Sequence, residues 1–344
     1  QITVETGDTR EYGFNETDAA LSTSGTLTLT DLDLTDKTGS TVVKVEASGS
    51  GAGLSGQPSY DDLMAMFATK GNELDGTQTT GKIDWTFNSG SATFDYLADG
   101  EELVLTYTVQ ANDDNNITDP ATGEISASNE QVITITITGT NDKPTLTGAS
   151  DVQYSVTEDV TTAPTAEADI ITGRVTDADV SDKLSVTKVN GTEVKTANTD
   201  INGTYGKLVI SPDGKYYYEL DNSNGNTQAL QKGQDVKDVF TVTVGDGKGG
   251  TVDQTITVNV TGTNDTPVLT VNPGDGDSAS APGLTESAAA LTATGNISVS
   301  DEDIKDTISE NIIDSVKTEG STAGLTLSEA QLRALLTLNT TGLT

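Results

Sequence analysis

The sequence predicts an all-β protein of tandem β-sandwich domains in an elongated array, and three observations carry that reading. Short strands with alternating apolar and polar residues recur along the 344 residues. That length exceeds one ordinary β domain and suits two or three of about 100–150 residues each. A Gly-Thr-Asn-Asp sequence at Gly139–Asp142, followed by Pro144, returns at Gly262–Asp265, followed by Pro267, 123 residues later. An acidic pattern, Asp-x-Asp-x-x-Asp, occurs three times, at Asp31–Asp36, Asp177–Asp182 and Asp301–Asp306. Self-similarity at such a period marks a repeat-built chain.

Each Gly-Thr-Asn-Asp copy directly follows an alternating strand, Val132–Ile137 in the first case and Ile256–Val260 in the second, so it sits where a domain's last strand exits. The proline two positions on fixes an extended backbone and cannot join a central strand, which suits a stiff junction. Each acidic motif follows a short strand opened by glycine (Gly25–Leu29, Gly173–Val175, Gly295–Val299), and a glutamate precedes it by 15, 19 and 15 residues: Glu16, Glu158 and Glu286. Three repeats result, at 1–140, 144–263 and 267–344.

Repeats 1 and 3 share a helix signal. Ser59 caps a run with Leu63, Met66 and Phe67 on one face that stops near Gly71, and Ser328 caps a second run with Gln331 in capping-box position. Repeat 2 lacks this signal. After its helix, repeat 1 continues with expected strands Ile83–Phe87, Ala92–Tyr96 and Leu103–Val109, whereas repeat 3 ends at Thr344 before any counterpart. It is therefore expected to be the first half of a sandwich with an open core. Repeat 2 is the clearest β unit: Tyr205–Ile210 and Lys215–Leu220 flank a Ser211–Gly214 turn that closes a hairpin. About seven strands in roughly 120 residues indicate an immunoglobulin-like sandwich.

Composition narrows function. The net charge is −35, from 53 acidic and 18 basic residues, which excludes nucleic-acid binding and disfavours anionic membranes. Self-repulsion of that size calls for bound cations. With no His and no Cys, zinc sites of the usual kind and Ser-His or Cys-His catalytic pairs are absent. Calcium, which takes six to eight oxygen ligands, is the natural cofactor. A carboxylate pair across a groove would be needed for a polysaccharide-acting enzyme, and the acidic residues recur at junctions instead; the chain is not read as an enzyme.

Two junctional calcium sites are expected. The first joins Asn141 and Asp142 with Glu158, Asp177, Asp179 and Asp182; the second joins Asn264 and Asp265 with Glu286, Asp301, Asp303 and Asp306. Glu16, Asp31, Asp33 and Asp36 form the equivalent set towards a preceding domain, and Asp113-Asp114 and Asp246 contribute from neighbouring loops. A single such motif in an acidic chain also fits solvated turns in which Asp caps the backbone. Three copies at one topological place favour metal ligation. No EF-hand is present, since Gly at position 6 and Glu at 12 are missing. Trp85, Phe94 and Tyr107 read as core, while the run Tyr216-Tyr217-Tyr218 places at least one ring on an outer face, where it could touch a glycan.

In repeat 2 the order Glu158-Asp159, the acidic motif, Gly203–Leu208, Asp213–Tyr218, Val244–Gly250 and Gly262–Pro267 resembles the VCBS-type repeat of giant bacterial repeats-in-toxin adhesins. The Gly-Thr-Asn-Asp-x-Pro junction is similar to the calcium-binding linker of cadherins. The resemblance covers nearly all of repeat 2, the ends of repeat 1 and the first half of repeat 3. It implies a secreted, extracellular bacterial cell-surface protein, exported by a one-step type I route. Its calcium-rigidified extender domains would support attachment and biofilm formation, with neighbouring repeats as partners and host or matrix glycans or proteins met through other domains. A glycan- or peptide-binding module is the alternative; the helical insertions of repeats 1 and 3 would be its place.

Overall fold

The computed structural model describes residues 1–31, 37–71, 74–75, 77–113, 130–195, 198–271, 284, 289–303, 305–306, 313, 315–319 and 326–338. Up to Thr138 the elements are β1 (Ile2–Thr3), β2 (Glu11–Asn15), β3 (Ser22–Thr30), β4 (Lys37–Ser48), α1 (Tyr60–Ala65), β5 (Phe67–Gly71), β6 (Leu74–Asp75), β7 (Thr80–Asn88), β8 (Glu102–Asp113) and β9 (Glu130–Thr138). They form two sheets, β1-β3-β7-β5 and β2-β9-β8-β4-β6. Leu27, Leu29, Ile83, Trp85 and Phe87 from one face Leu105, Tyr107, Ile133, Ile135 and Ile137 from the other in a single buried cluster. Strict alternation produces this arrangement, because successive strand residues point to opposite faces. Phe67 stacks on both Trp85 and Tyr107, at centroid distances of 5.5 and 4.4 Å. Each such buried side chain contributes about 1.5–3 kcal/mol.

The second sandwich comprises β10 (Thr145–Leu146), β11 (Asp151–Thr157), β12 (Ala168–Asp169), β13 (Val175–Thr176), β14 (Ser185–Val189), β15 (Thr192–Glu193), β16 (Thr199–Asn202), β17 (Gly206–Ile210), β18 (Lys215–Leu220), α2 (Gly225–Gln228), β19 (Asp235–Gly245) and β20 (Thr251–Thr261). Its main sheets are β11-β20-β19-β14-β15 and β12-β18-β17-β16. A separate cluster fills it, with Leu208, Ile210, Tyr216 and Tyr218 opposite Phe240, Val242, Ile256 and Val258. The expected hairpin closes at Ser211–Gly214, where Gly214 adopts φ +88° and its N–H donates to the Ser211 carbonyl at 3.0 Å. Tyr218 donates its hydroxyl to the buried Asp238 at 2.7 Å, and Asp238 also accepts the N–H groups of Thr204 and Tyr205. Beyond this lie β21 (Val268–Thr270), β22 (Ser298–Ser300) and α3 (Glu329–Arg333). No hydrophobic residue beyond Val260 is buried among the described residues; Leu269 and Leu335 are 71% and 74% exposed.

One topological feature decides where the acidic side chains go. In both sandwiches the first long strand runs parallel to the last: β2 on β9 with Asn15 opposite Thr138, and β11 on β20 with Thr157 opposite Thr261. The glutamate following each first strand therefore emerges beside the exit of its own domain.

Three local expectations are corrected. Ala92–Tyr96 is not a strand but a turn-rich loop, in which Phe94 adopts φ +65° after Gly90 at φ +64°. Phe94 and Tyr96 are both buried there, so a folded-back loop mimics strand alternation. The first helix is short. Its capping box, Ser59 with Asp62, holds one and a half turns, and from Phe67 the chain pairs with β7 as β5 instead of running on to Gly71. Repeat 2 does contain a helix, α2, a single turn capped by Asn224 and too short to leave a periodic signal.

Candidate metal centre

At the first junction the parallel register brings Glu16 against the linker. The N–H and hydroxyl of Thr140 donate to Glu16 Oε2 at 3.4 and 2.8 Å, and Glu16 is 2% exposed. Asp18, two residues on, and Asp95, from the loop between β7 and β8, complete a trio whose carboxylate oxygens lie within 4.8 Å of one another. A second trio of the same compactness, Asp177, Asp182 and Asp246, comes from the loop after β13 and the β19–β20 turn of the following sandwich. Asp142 and Asp179 stand between them: the Asp142 N–H donates to Asp179 Oδ2 at 2.8 Å. Asn141 reaches across to Asp246 Oδ2 at 3.2 Å. A backbone bond from Val180 N–H to the Tyr96 carbonyl, 3.4 Å, also crosses this junction.

The cluster is incomplete by its own electrostatics. Asp95 Oδ1, Asp142 Oδ2, Asp177 Oδ2, Asp179 Oδ1 and Asp182 Oδ2 are buried with no hydrogen-bond partner. Among the described residues no Lys or Arg forms an ion pair with any of these five side chains. A buried polar group left unpartnered costs about 1–3 kcal/mol, more when charged. Burial and the neighbouring carboxylates Asp142, Asp177 and Asp182 push Asp179 up to about 7, despite the bond from Asp142. Burial, then surrounding carboxylates, also raise Glu16, Asp142, Asp177 and Asp182. Asp246 is the exception. Burial pushes it up, but bonds from the N–H groups of Lys248, Gly249 and Gly250 and from the Asn141 amide outweigh this and hold it below the ordinary aspartate value. A set of oxygen donors without nitrogen or sulfur, spread over loops of two domains, fits a hard divalent cation.

The second junction repeats the pattern. Glu158, fully buried, accepts the Thr263 N–H at 3.0 Å and the Gln228 amide at 3.2 Å. The Asp265 N–H donates to Asp303 Oδ2 at 2.8 Å, Asp303 N–H to Asp301 at 3.1 Å, and Gln231 to Asp306 at 2.9 Å. Asp265 Oδ2 and Asp303 Oδ1 are buried without partners. Asn264 bends back onto the Asp265 carbonyl at 2.5 Å, as Asn141 does onto Asp142 at 2.7 Å.

The structure thus regroups the expected ligands. Glu158 does not join Asp142 and Asp177; it faces Asp265 and Asp303, whose charges help burial raise its pKa. Glu16 faces Asp142 and Asp95, not Asp31, which lies at the other end of β3, where the Thr30 N–H meets the Gln1 carbonyl. The physical reason is the parallel pairing of first and last strands, which carries each glutamate to its own domain's exit. Asp33, Asp36, Asp114 and Glu286 lie outside the described residues, and of Asp113 only the backbone is described. Asp18 and Asp95 are the residues that sequence reasoning missed. Asp18 is marked only by its Glu-x-Asp spacing from Glu16, and Asp95 was hidden in the apparent strand.

Comparison with known proteins fits this geometry. Residues 141–262 match the family model described as a bacterial cadherin-like domain. The matched segment begins at Asn141 and ends at Gly262, the second sandwich with its entry linker. A curated relative, "Calcium-binding lectin RapA2" of Rhizobium johnstonii (strain DSM 114642 / LMG 32736 / 3841), is 36% identical over 107 residues, which is 28% of this chain and 43% of the relative. The chain therefore spans less than half of the relative's length. Among solved structures, human mucin-like protocadherin EC1-2 is similar at 12% identity and TM-score 0.37, covering 76% of this chain and 98% of that one. Mouse cadherin-23 EC22-24 is similar at 11% identity and TM-score 0.33, covering 88% and 77%. The fold is all-β, and the cadherin-like match covers its second sandwich, residues 141–262. No helix among the described residues is long and apolar enough to cross a membrane.

Proposed function

We propose that the chain is a calcium-rigidified extender of a bacterial cell-surface adhesin of the repeats-in-toxin kind, secreted and supporting attachment and biofilm formation. The observation that carries this reading is the set of five buried, unpartnered carboxylate oxygens at the first junction, supplied by both sandwiches and their linker. Calcium is the cation of choice because every donor is a hard oxygen and the loops can offer the six to eight ligands it takes. Glu16, Asp18, Asp95, Asp142, Asp177, Asp179, Asp182 and Asp246 would hold it at the first junction, and Glu158, Asp265, Asp301, Asp303 and Asp306 at the second. Bound cation screens the repulsion among these carboxylates and ties each sandwich to the next, so the hinge at the Gly-Thr-Asn-Asp linker stiffens. The match to a bacterial cadherin-like domain and the words "calcium-binding" in the relative's name support the reading.

Small-angle scattering and thermal unfolding of the chain in calcium and in chelator test it. Calcium should raise the melting temperature and lengthen the particle. Identical curves in both conditions reject the junction sites. The relative's description as a lectin supports a second reading, an adhesion module that also binds glycan directly.

A further inference from the structure

Tyr217 is a surface tyrosine with a built setting. On β18 it alternates with Tyr216 and Tyr218, which are 2% and 1% exposed and belong to the core, so its ring lies on the opposite, outward face of the β12-β18-β17-β16 sheet. Its cross-strand partner Val209 is also on the outward face. It is 3% exposed, yet it is no part of the second core, so it is covered from outside and forms a floor beside the ring. Tyr217, Val209, Glu167, Asn198, Asp213 and Lys215 line a depression of about 430 Å³, within the range of roughly 300–1,000 Å³ for small-molecule sites. Two residues further along the same strands, Lys207 and Glu219 line a neighbouring depression on the same face with Asn202 and Asn224.

The chemistry of this face selects a ligand class. Tyr217 and Asn198 both line the depression, and among the described residues neither the Tyr217 hydroxyl nor the Asn198 amide makes a hydrogen bond. Both lysines are already neutralised: Lys215 lies 3.6 Å from Glu167, and Lys207 lies 2.8 Å from Asp200 and 3.1 Å from Glu219. With Asp213 added, four carboxylates stand against two ammonium groups, so anionic polymers are disfavoured. A peptide added as a strand would need main-chain groups at a sheet edge, whereas here only side chains are presented. An aromatic ring beside carboxylate and amide groups, each able to bridge vicinal hydroxyls, suits a pyranose whose C–H face stacks on the ring. On the first sandwich the outward residues of β7, Lys82, Asp84 and Thr86, offer no ring.

We propose that this outward face of the second sandwich binds a neutral saccharide, one pyranose of a polysaccharide stacked on Tyr217 and held through its hydroxyls by Glu167, Asn198 and Asp213. None of its residues is among the junction carboxylates, so the site is separate from the extender reading. It rests on the glycan-binding reading and gives that reading a place; glycan binding that survives Tyr217→Ala would keep that reading while overturning this site.

The test uses the full chain at saturating calcium, titrated with cellohexaose, laminarihexaose and mannohexaose, with polygalacturonate as an anionic comparison. At least one neutral hexaose should bind. Tyr217→Ala should weaken it by about tenfold or more, and Asn198→Ala by roughly threefold to tenfold. Tyr217→Phe should stay within about threefold, and Tyr12→Ala, an exposed tyrosine elsewhere, should change nothing. The calcium-dependent melting temperature of every variant should match that of the parent, which separates this face from the junctions. Binding of polygalacturonate alone, binding that survives Tyr217→Ala, or no binding by any hexaose overturns the proposal.

Discussion

The backbone N–H of Asp142 donates to the Asp179 carboxylate at 2.8 Å, and at the next junction Asp265 makes the same bond to Asp303, also at 2.8 Å. In each pair the bond engages Oδ2 and leaves Oδ1 buried and unpartnered. On the proposed calcium reading, the linker holds a carboxylate whose free oxygen a cation would take up, and without one that oxygen stays desolvated and unpaired. Asp179→Asn should therefore stabilise the calcium-free protein, by roughly 1–2 kcal/mol, since it removes an uncompensated buried charge. It should also diminish the stabilisation that calcium is expected to give the parent, about 2.7 kcal/mol at a hundredfold excess over Kd. Calorimetry in chelator and in calcium gives both numbers. An Asn variant that is less stable in chelator and equally responsive to calcium would show that Asp179 is a turn residue only.

The two glutamates separate the junctions. Because Glu16 is bonded to Thr140 and Glu158 to Thr263, Glu16→Gln should weaken cation binding between the two sandwiches, and Glu158→Gln only the site beyond the second. Trp85 is the single tryptophan and lies in the first core, so its fluorescence follows the first sandwich alone. The calcium shift of the Trp85 transition should shrink in Glu16→Gln and persist in Glu158→Gln. The reverse ranking would restore the grouping of each glutamate with the acidic motif of its own repeat.

That regrouping shows what was legible in the sequence. Alternation located β7, β9 and β20, because one face of each is buried and the other is not. The Ser59 and Ser328 caps located both helices, because a capping box is a local hydrogen-bond pattern. The acidic motifs were visible as repeats. The placement of Glu16 and Glu158 was not, since strand partners and their parallel sense are set by long-range pairing and leave no local trace. Asp95 failed for a different reason: Phe94 and Tyr96 flank it as strand residues would, although a positive φ at Phe94 folds the segment into a loop.

Acid should unfold the first sandwich through Asp8. Burial pushes its carboxyl up, but the Glu5 N–H, Lys82, Thr28 and Thr26 all donate to it and together hold its pKa at about 2. A folded-state pKa below the unfolded value of about 3.9 contributes stability that is present above pH 4 and lost as the pH falls towards 2. The contribution is about 1–2 kcal/mol. Asp8→Asn should lower stability at pH 7 by about that amount and flatten the Trp85-detected decline between pH 4 and 2. An unchanged acid limb would assign the loss to other carboxylates.

Gly25 and Trp85 should be the most size-sensitive pair of the first core. They are cross-strand partners, and a Cβ on Gly25 would clash with Trp85 Cζ2. The ring cannot swing aside freely: its indole N–H donates to the Thr9 carbonyl at 3.0 Å, and its face stacks on Phe67. Gly25→Ala should therefore destabilise the first sandwich by about 1–3 kcal/mol through overpacking. Gly13→Ala, on β2 of the same sandwich with nothing within 4 Å of its added Cβ, should cost far less. Urea titration followed by Trp85 fluorescence measures both. Equal losses would mean that backbone conformation, not the space over the indole, sets the requirement for glycine at position 25.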